Sequence, residues 1–299
     1  MLDLLLNPSR CANAGLPLLL LFLLLLGCNY DHGMDPVPTR IRGAVIFESI
    51  PPDYVREVVF IAAKKLPPDN LLTDIVFSDP LPYDTSRMRV LPDTVRFDII
   101  ADAGQYAAAG VLWRRTNEPW DIANILGIYR EQGEITPKAF ELTDEHPVED
   151  SVIVPANWSL ANRDSYLEGT ITFADEWPAN TEIVALTYFS EIPRNTFEYI
   201  IYLKGLDINV KRFTPSYHYR SAVNSGEYKF IALFWYGKGA SFEDIRAVGF
   251  YRCPAPADSL TPRKVIAPKD GEVKDIDFTV HFSSLPAGVN FCKTCPDCP

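Results

Sequence analysis

The feature that most constrains this 299-residue chain is a duplication. Gly104-Gln105-Tyr106 recurs as Gly226-Glu227-Tyr228 and Val111-Leu112-Trp113 as Leu233-Phe234-Trp235. Trp120 recurs as Phe242, Gly127 as Gly249 and Tyr129 as Tyr251, all at an offset of 122. Upstream, Arg42-Gly43-Ala44-Val45-Ile46-Phe47 returns as Glu168-Gly169-Thr170-Ile171-Thr172-Phe173 at an offset of 126, so the copies differ by a few residues of loop. Each start is followed by Pro (Pro51 and Pro52; Pro178), by an apolar run (Val58 to Ala62; Ile183 to Phe189), and by Pro again (Pro67; Pro193). Two copies are too few for a solenoid, in which each unit needs neighbours to bury its face. Each copy is long enough to close its own core, so two domains are expected, over residues 40–158 and 164–283.

Period and composition make those domains β. The chain has 25 Pro, 17 Phe and 14 Tyr but 3 Met, and Pro and Gly interrupt its apolar runs at short intervals. Strands are expected around Val45 and Phe47 and over 58–61, 95–100, 107–113 and 152–154, then over 170–173, 183–189, 199–203, 229–235 and 276–282. Trp120 to Leu126 and Phe242 to Val248 read as one or two helical turns within loops. The fold class is therefore all-β: two tandem antiparallel β-sandwiches. Gly104 and Gly226 suit the positive φ of a turn. Tyr106 and Tyr228 suit a buried ring whose hydroxyl ties a neighbouring loop, and Trp113 and Trp235, ending apolar runs, suit the space between sheets.

Ahead of the first copy, Leu16 to Leu26 is almost unbroken Leu. Eleven residues of helix cover about 16 Å, half a bilayer core, which fits the apolar part of an export signal better than a membrane span. The run ends Leu25-Leu26-Gly27-Cys28 and resembles the lipobox of bacterial lipoproteins. That resemblance implies a signal peptide over 1–27 cut between Gly27 and Cys28, diacylglycerol on the Cys28 sulfur with further acylation, and a tether over 28–39. Asn29, rather than Asp, after the Cys implies the outer membrane by analogy with proteobacterial sorting.

The repeat unit resembles the prealbumin-like, carboxypeptidase-regulatory-like (Ig-like) sandwich modules of bacterial surface proteins. In those modules a Gly-x-Val-x-Phe strand precedes a Pro turn, and a later Gly-x-Tyr opens a strand carrying a bulky residue. Some hold Ca²⁺ in an acidic loop after that strand. The equivalents here, Arg114 to Glu118 and Gly237 to Ala240, lack the several hard oxygen ligands such a site needs.

Six Cys are present. With Cys11 in the signal and Cys28 acylated, Cys253, Cys292, Cys295 and Cys298 remain, the last three in a tail over 284–299. An even number in an exported chain suggests two disulfides, with three pairings open, while four thiolates could instead bind Zn²⁺ or iron or serve redox chemistry. A formal charge of −11 argues against a nucleic-acid binder, which needs clustered Lys and Arg. No nucleophile elbow, metalloprotease motif or phosphate-binding Gly loop occurs, and His32, His146, His218 and His281 are scattered, so no enzyme, catalytic residue or cofactor is expected. Trp120, Trp158 and Trp177 lie among polar residues and prolines, and with Phe242 are candidates for a ligand platform, glycan above all. The expected function is a non-enzymatic, lipid-anchored envelope protein that docks onto or spaces a protein partner. Glycan or small-ligand binding is the alternative, and metal or redox use of the Cys tail a weaker one.

Overall fold

Strand pairing repeats the duplication in three dimensions. The computed structural model describes residues 38–298 apart from 67–73, 83–90, 135, 196, 241–243, 255–259 and 297. The first sandwich contains β1 (Arg40–Phe47), β2 (Glu57–Ala63), β3 (Ile75–Phe77), β4 (Asp93–Ile100), β5 (Gly104–Tyr106), β6 (Ala108–Arg114), β7 (Ile125–Ile128), β8 (Phe140–Leu142) and β9 (Val148–Ala156). The second contains β10 (Ser165–Phe173), β11 (Thr181–Phe189), the single-turn helix α1 (Glu198–Ile201), β12 (Leu203–Asp207), β13 (Ser216–Val223), β14 (Gly226–Tyr228), β15 (Phe230–Gly237), β16 (Arg246–Phe250), β17 (Val265–Ala267), β18 (Gly271–Val273) and β19 (Phe278–Val280).

In the first sandwich a β4-β1-β9 sheet faces a β3-β2-β6-β7 sheet, with β5 and β8 paired at one side. The second repeats this as β13-β10-β18, with β19 also on β10, against β12-β11-β15-β16, with β14 and β17 paired. Register repeats too: Gly43 lies opposite Phe97, and Gly169 opposite Tyr219. Pairing is antiparallel except that β9 runs parallel to β1, and β18 and β19 parallel to β10. The sandwich is thus not purely antiparallel, because the last strand of each copy returns beside the first in the same direction. Gly43 and Gly169 make that return possible. A Cβ on Gly43 would collide with the Val152 carbonyl oxygen, and one on Gly169 with that of Ile276.

Alternation along the strands sends one face inward. Ile41, Val45, Phe47, Phe60, Trp113 and Trp158 belong to one core. Leu167, Ile171, Tyr188, Tyr219, Leu233 and Trp235 belong to another. Trp113 and Trp235 are both buried, and Trp235 Nε1 donates to Thr181 Oγ1 at 2.8 Å. Gly104 and Gly226 have φ of 140° and 145°. Beside them Tyr106 donates its hydroxyl to the Asp102 carbonyl (2.9 Å), and Tyr228 to that of Asn224 (2.8 Å), closing the same five-residue corner in both copies.

Burial pushes the Tyr106 hydroxyl up to about 12 and raises those of Tyr188, Tyr219 and Tyr228 well above the ordinary phenol value. Below pH 10 these groups keep their protons folded or unfolded, and their contribution is intact. Above pH 10 the unfolded chain ionises first, so stability should fall as pH rises from about 10 toward 12. Urea midpoints taken between pH 8 and pH 12 should decline only over that upper range, and a flat series would contradict the assignment.

Two local expectations are corrected. Residues 199–203 do not form a strand: α1 occupies Glu198–Ile201, and β12 starts only at Leu203. Asn195 and Glu198 cap the turn reciprocally, Asn195 Oδ1 accepting from Glu198 N (3.0 Å) and Glu198 Oε2 from Arg194 N (2.6 Å). The counterpart of β4 in the second copy is β13, which places Tyr219 where the first copy has Phe97. The expected helical turns are shorter than the sequence suggests and run into strand. Ile122–Asn124 forms a 3-10 turn, capped by Asp121, before β7 begins at Ile125, while 241–243, where the second expected turn starts, lie outside the described residues. Arg246–Phe250 is β16, since its backbone pairs with β15.

Candidate functional site

A polar node that joins side chains of both halves lies where one sandwich hands over to the other. Asn157 caps a 3-10 turn over Trp158–Ala161, its Oδ1 accepting from Ser159 N at 3.0 Å. Tyr54 holds the far end of that turn by donating to the Ala161 carbonyl (2.8 Å). Arg163 follows. Its guanidinium donates to the carbonyls of Leu160 (3.1 Å) and Asn162 (2.7 Å), to Asn124 Oδ1 (2.7 Å) and to Asn224 Oδ1 (2.6 Å). Asn124 is buried in the first sandwich, whereas Asn224 follows β13 in the second and returns a bond from Nδ2 to the Ser159 carbonyl (3.0 Å). Trp113 lies under the guanidinium, 5.1 Å from ring centre to Cζ. Asp164 completes the node, accepting from Ser225 N (2.6 Å) and Ser225 Oγ (3.0 Å).

One forked cation therefore links four oxygens from the linker and both sandwiches, a geometry that Lys cannot copy. All four acceptors are neutral. Burial lowers the Arg163 guanidinium from its ordinary value, raises the carboxyl of nearby Asp121, and lowers Lys204 on β12, with the Arg163 charge adding to the effect on Lys204. β12 packs along the 122–124 turn, so the second sandwich also meets the first beside the node. Sequence reasoning missed Arg163 because it falls between the copies. The available signal was a run of hydrogen-bonding side chains, Asn162-Arg163-Asp164, in a linker too short to be a free tether.

The described aromatic candidates have different surroundings. Trp158 is corrected: it is 1% exposed and stacks on Phe47 at 5.2 Å, because its polar neighbours form the outer side of the 3-10 turn while the indole points into the first core. Trp120 is half-buried beside Phe77, with the Arg114 guanidinium 4.5 Å from its ring centre. Trp177 is half-buried against Phe173 and Phe282 of the second sandwich, and its Nε1 donates to the Thr214 carbonyl (2.8 Å). Next to it, at 5.7 Å, Phe213 is 60% exposed and held at a φ of 59°. Phe242 lies outside the described residues, as do Gly27 and Cys28.

All four tail-associated sulfurs are used in pairs, Cys253 with Cys298 and Cys292 with Cys295. This corrects the metal alternative for the oxidised chain, since a disulfide sulfur is no thiolate ligand. Among the described residues no group of three or more His, Cys, Asp or Glu is arranged to hold a metal ion, and no helix is long and apolar enough to cross a membrane.

No family model and no curated protein matches the sequence. Among solved structures, a leucine-rich repeat protein from Bacteroides thetaiotaomicron is similar at 9% identity, over 81% of this chain and 26% of that one, with a TM-score of 0.28. The TIE protein of Bacillus anthracis is similar at 11% identity over 81% and 34%, with a TM-score of 0.20. The minor pilin of Streptococcus agalactiae is similar at 9% identity over 81% and 96%, with a TM-score of 0.23. This chain thus spans about a quarter and a third of the first two proteins, and at such scores the resemblance carries no weight for function.

Proposed function

We propose that this chain is a non-enzymatic protein of the bacterial cell envelope, anchored through lipid on Cys28. Its two sandwiches would serve as a stiff spacer or docking unit for an envelope partner. The observation that supports this reading is the Arg163 node. Two domains joined by a short linker move against each other unless their contact is specific. Here a guanidinium bonded to Asn124, Asn224 and two linker carbonyls would resist bending. Stiffness serves a protein that holds a partner at a set distance. The lipobox supports the location, with the outer membrane favoured by Asn29.

A second reading, glycan binding, is favoured by Phe213 beside Trp177, since an exposed ring held in the left-handed region is costly without a use. The deciding experiment for the first reading is metabolic labelling with radioactive palmitate, followed by fractionation of wild type and Cys28→Ala. Label and membrane association are expected in the wild type and neither in the variant. An unlabelled wild type, or one found with its leader uncut in the cytosol, would remove the anchor from the proposal.

A further inference from the structure

The outer face of the β12-β11-β15-β16 sheet departs from what a sandwich needs. Along β15, Ile231, Leu233 and Trp235 belong to the core between the sheets, so Phe230, Ala232 and Phe234 point the other way. In an antiparallel sandwich that face ordinarily meets water. Here Phe189, Phe230, Ala232, Phe234, Ala247 and Phe250 are buried in a cluster of their own. Tyr199 and Tyr202 cover one part and Val289 and Phe291, from the C-terminal tail, another. The Phe291 ring lies 4.4 Å from Phe230 and 6.1 Å from Phe250.

Non-covalent contacts of the tail include hydrogen bonds to several separate loops and strands. Val289 N donates to the Ala247 carbonyl (2.8 Å), Cys292 N to that of Leu260 (2.7 Å) and Lys293 Nζ to that of Arg194 (3.1 Å). Its covalent attachment is Cys298 to Cys253, and Cys253 is only 4% exposed. Beside it, Cys292–Cys295 joins residues three apart. Such a small loop restricts the unfolded chain least, so this second bridge adds little as a staple. What it does place is a sulfur pair directly before Cys298. Cys295 stands three residues from Cys298, the same spacing that Cys292 and Cys295 already bridge.

We infer that the tail from Val289 to Cys295 is a redox-latched strap, with Cys292–Cys295 as the trigger and Cys253–Cys298 as the latch. An external dithiol reduces Cys292–Cys295 and is itself oxidised to a cyclic disulfide, leaving a Cys292 thiol and a Cys295 thiolate. The Cys295 thiolate attacks the Cys298 sulfur. A Cys295–Cys298 bond forms, the Cys298–Cys253 bond breaks, and Cys253 leaves as a thiolate that takes up a proton. The net change is one two-electron reduction, after which the tail is no longer covalently tied to the sheet. The buried Cys253 sulfur is poorly reached from solution, whereas Cys295 arrives from within the chain at high effective concentration. Loss of the latch frees Phe291 and uncovers the Phe230–Phe250 face.

Two single variants of the full chain test this without added reductant. Cys292→Ser leaves the attacking thiol in place. Cys295→Ser leaves a thiol six residues from Cys298. After alkylation and peptide mapping, Cys292→Ser should show the Cys295–Cys298 bridge with Cys253 alkylated, at about tenfold or more the Cys253 alkylation of Cys295→Ser. In the wild type, graded dithiothreitol should produce the same rearranged bridge, with a severalfold rise in anilinonaphthalene sulfonate fluorescence. Near-ultraviolet circular dichroism should meanwhile keep the signal of a folded core. Equal pairing in the two variants would overturn the relay. Release of Cys253 with no rise in dye fluorescence would overturn the strap.

Discussion

Replacing Cys253 and Cys298 together with Ser is expected to lower the stability of the second sandwich by up to about 4 kcal/mol. The two residues lie 45 apart, so their bond removes a large loop from the unfolded ensemble. Without it, Phe291 must be held on Phe230 and Phe250 by packing and by hydrogen bonds such as that from Val289 N to the Ala247 carbonyl. Some of the entropic gain is lost to unfolded-state effects, which makes this figure an upper bound. Calorimetry of the full chain provides an internal reference, because residues 40–158 contain no Cys. The transition of the second sandwich should move down by several degrees and become insensitive to reductant, while that of the first moves less. An unshifted second transition would mean that the bridge constrains nothing.

Arg163→Ala is expected to cost about 3 kcal/mol and to uncouple the sandwiches. The change removes four hydrogen bonds from a charged donor and leaves the buried Asn124 amide oxygen without its partner. Each sandwich keeps its own core, so both should still fold. The transitions of the two sandwiches should move further apart and lose their dependence on one another. The distance distribution between spin labels placed on the two sandwiches should also broaden. Arg163→Lys retains charge but not the planar fork, and should recover less than half of the loss. A variant that melts and measures like the wild type would deprive the spacer proposal of its main support.

The set of cysteines is legible in the sequence, whereas the role of Arg163 is not. Gly104 and Gly226, Tyr106 and Tyr228, and Trp113 and Trp235 are legible in the sequence, because each role depends on a local turn or on the end of an apolar run, and the second copy repeats the evidence. Strand period exposed most of the fold for the same reason. Trp158 was misread because its sequence neighbours are polar, while its burial is decided by Phe47, far upstream in the chain. Tyr199 to Leu203 looked like a strand by residue type, but the reciprocal cap between Asn195 and Glu198 won locally.

The sequence alone thus determined the duplicated all-β architecture, the corner residues and the set of cysteines available for bonding. Period, turn chemistry and repetition are properties of neighbouring residues, and they survive in one dimension. Only the tertiary structure decided the parallel return of each last strand, the pairing of the cysteines, the strap over the outer aromatic face and the role of Arg163. Each of these depends on groups tens of residues apart meeting in space, and nothing in the local pattern of a chain encodes which distant partner a guanidinium or a sulfur will find.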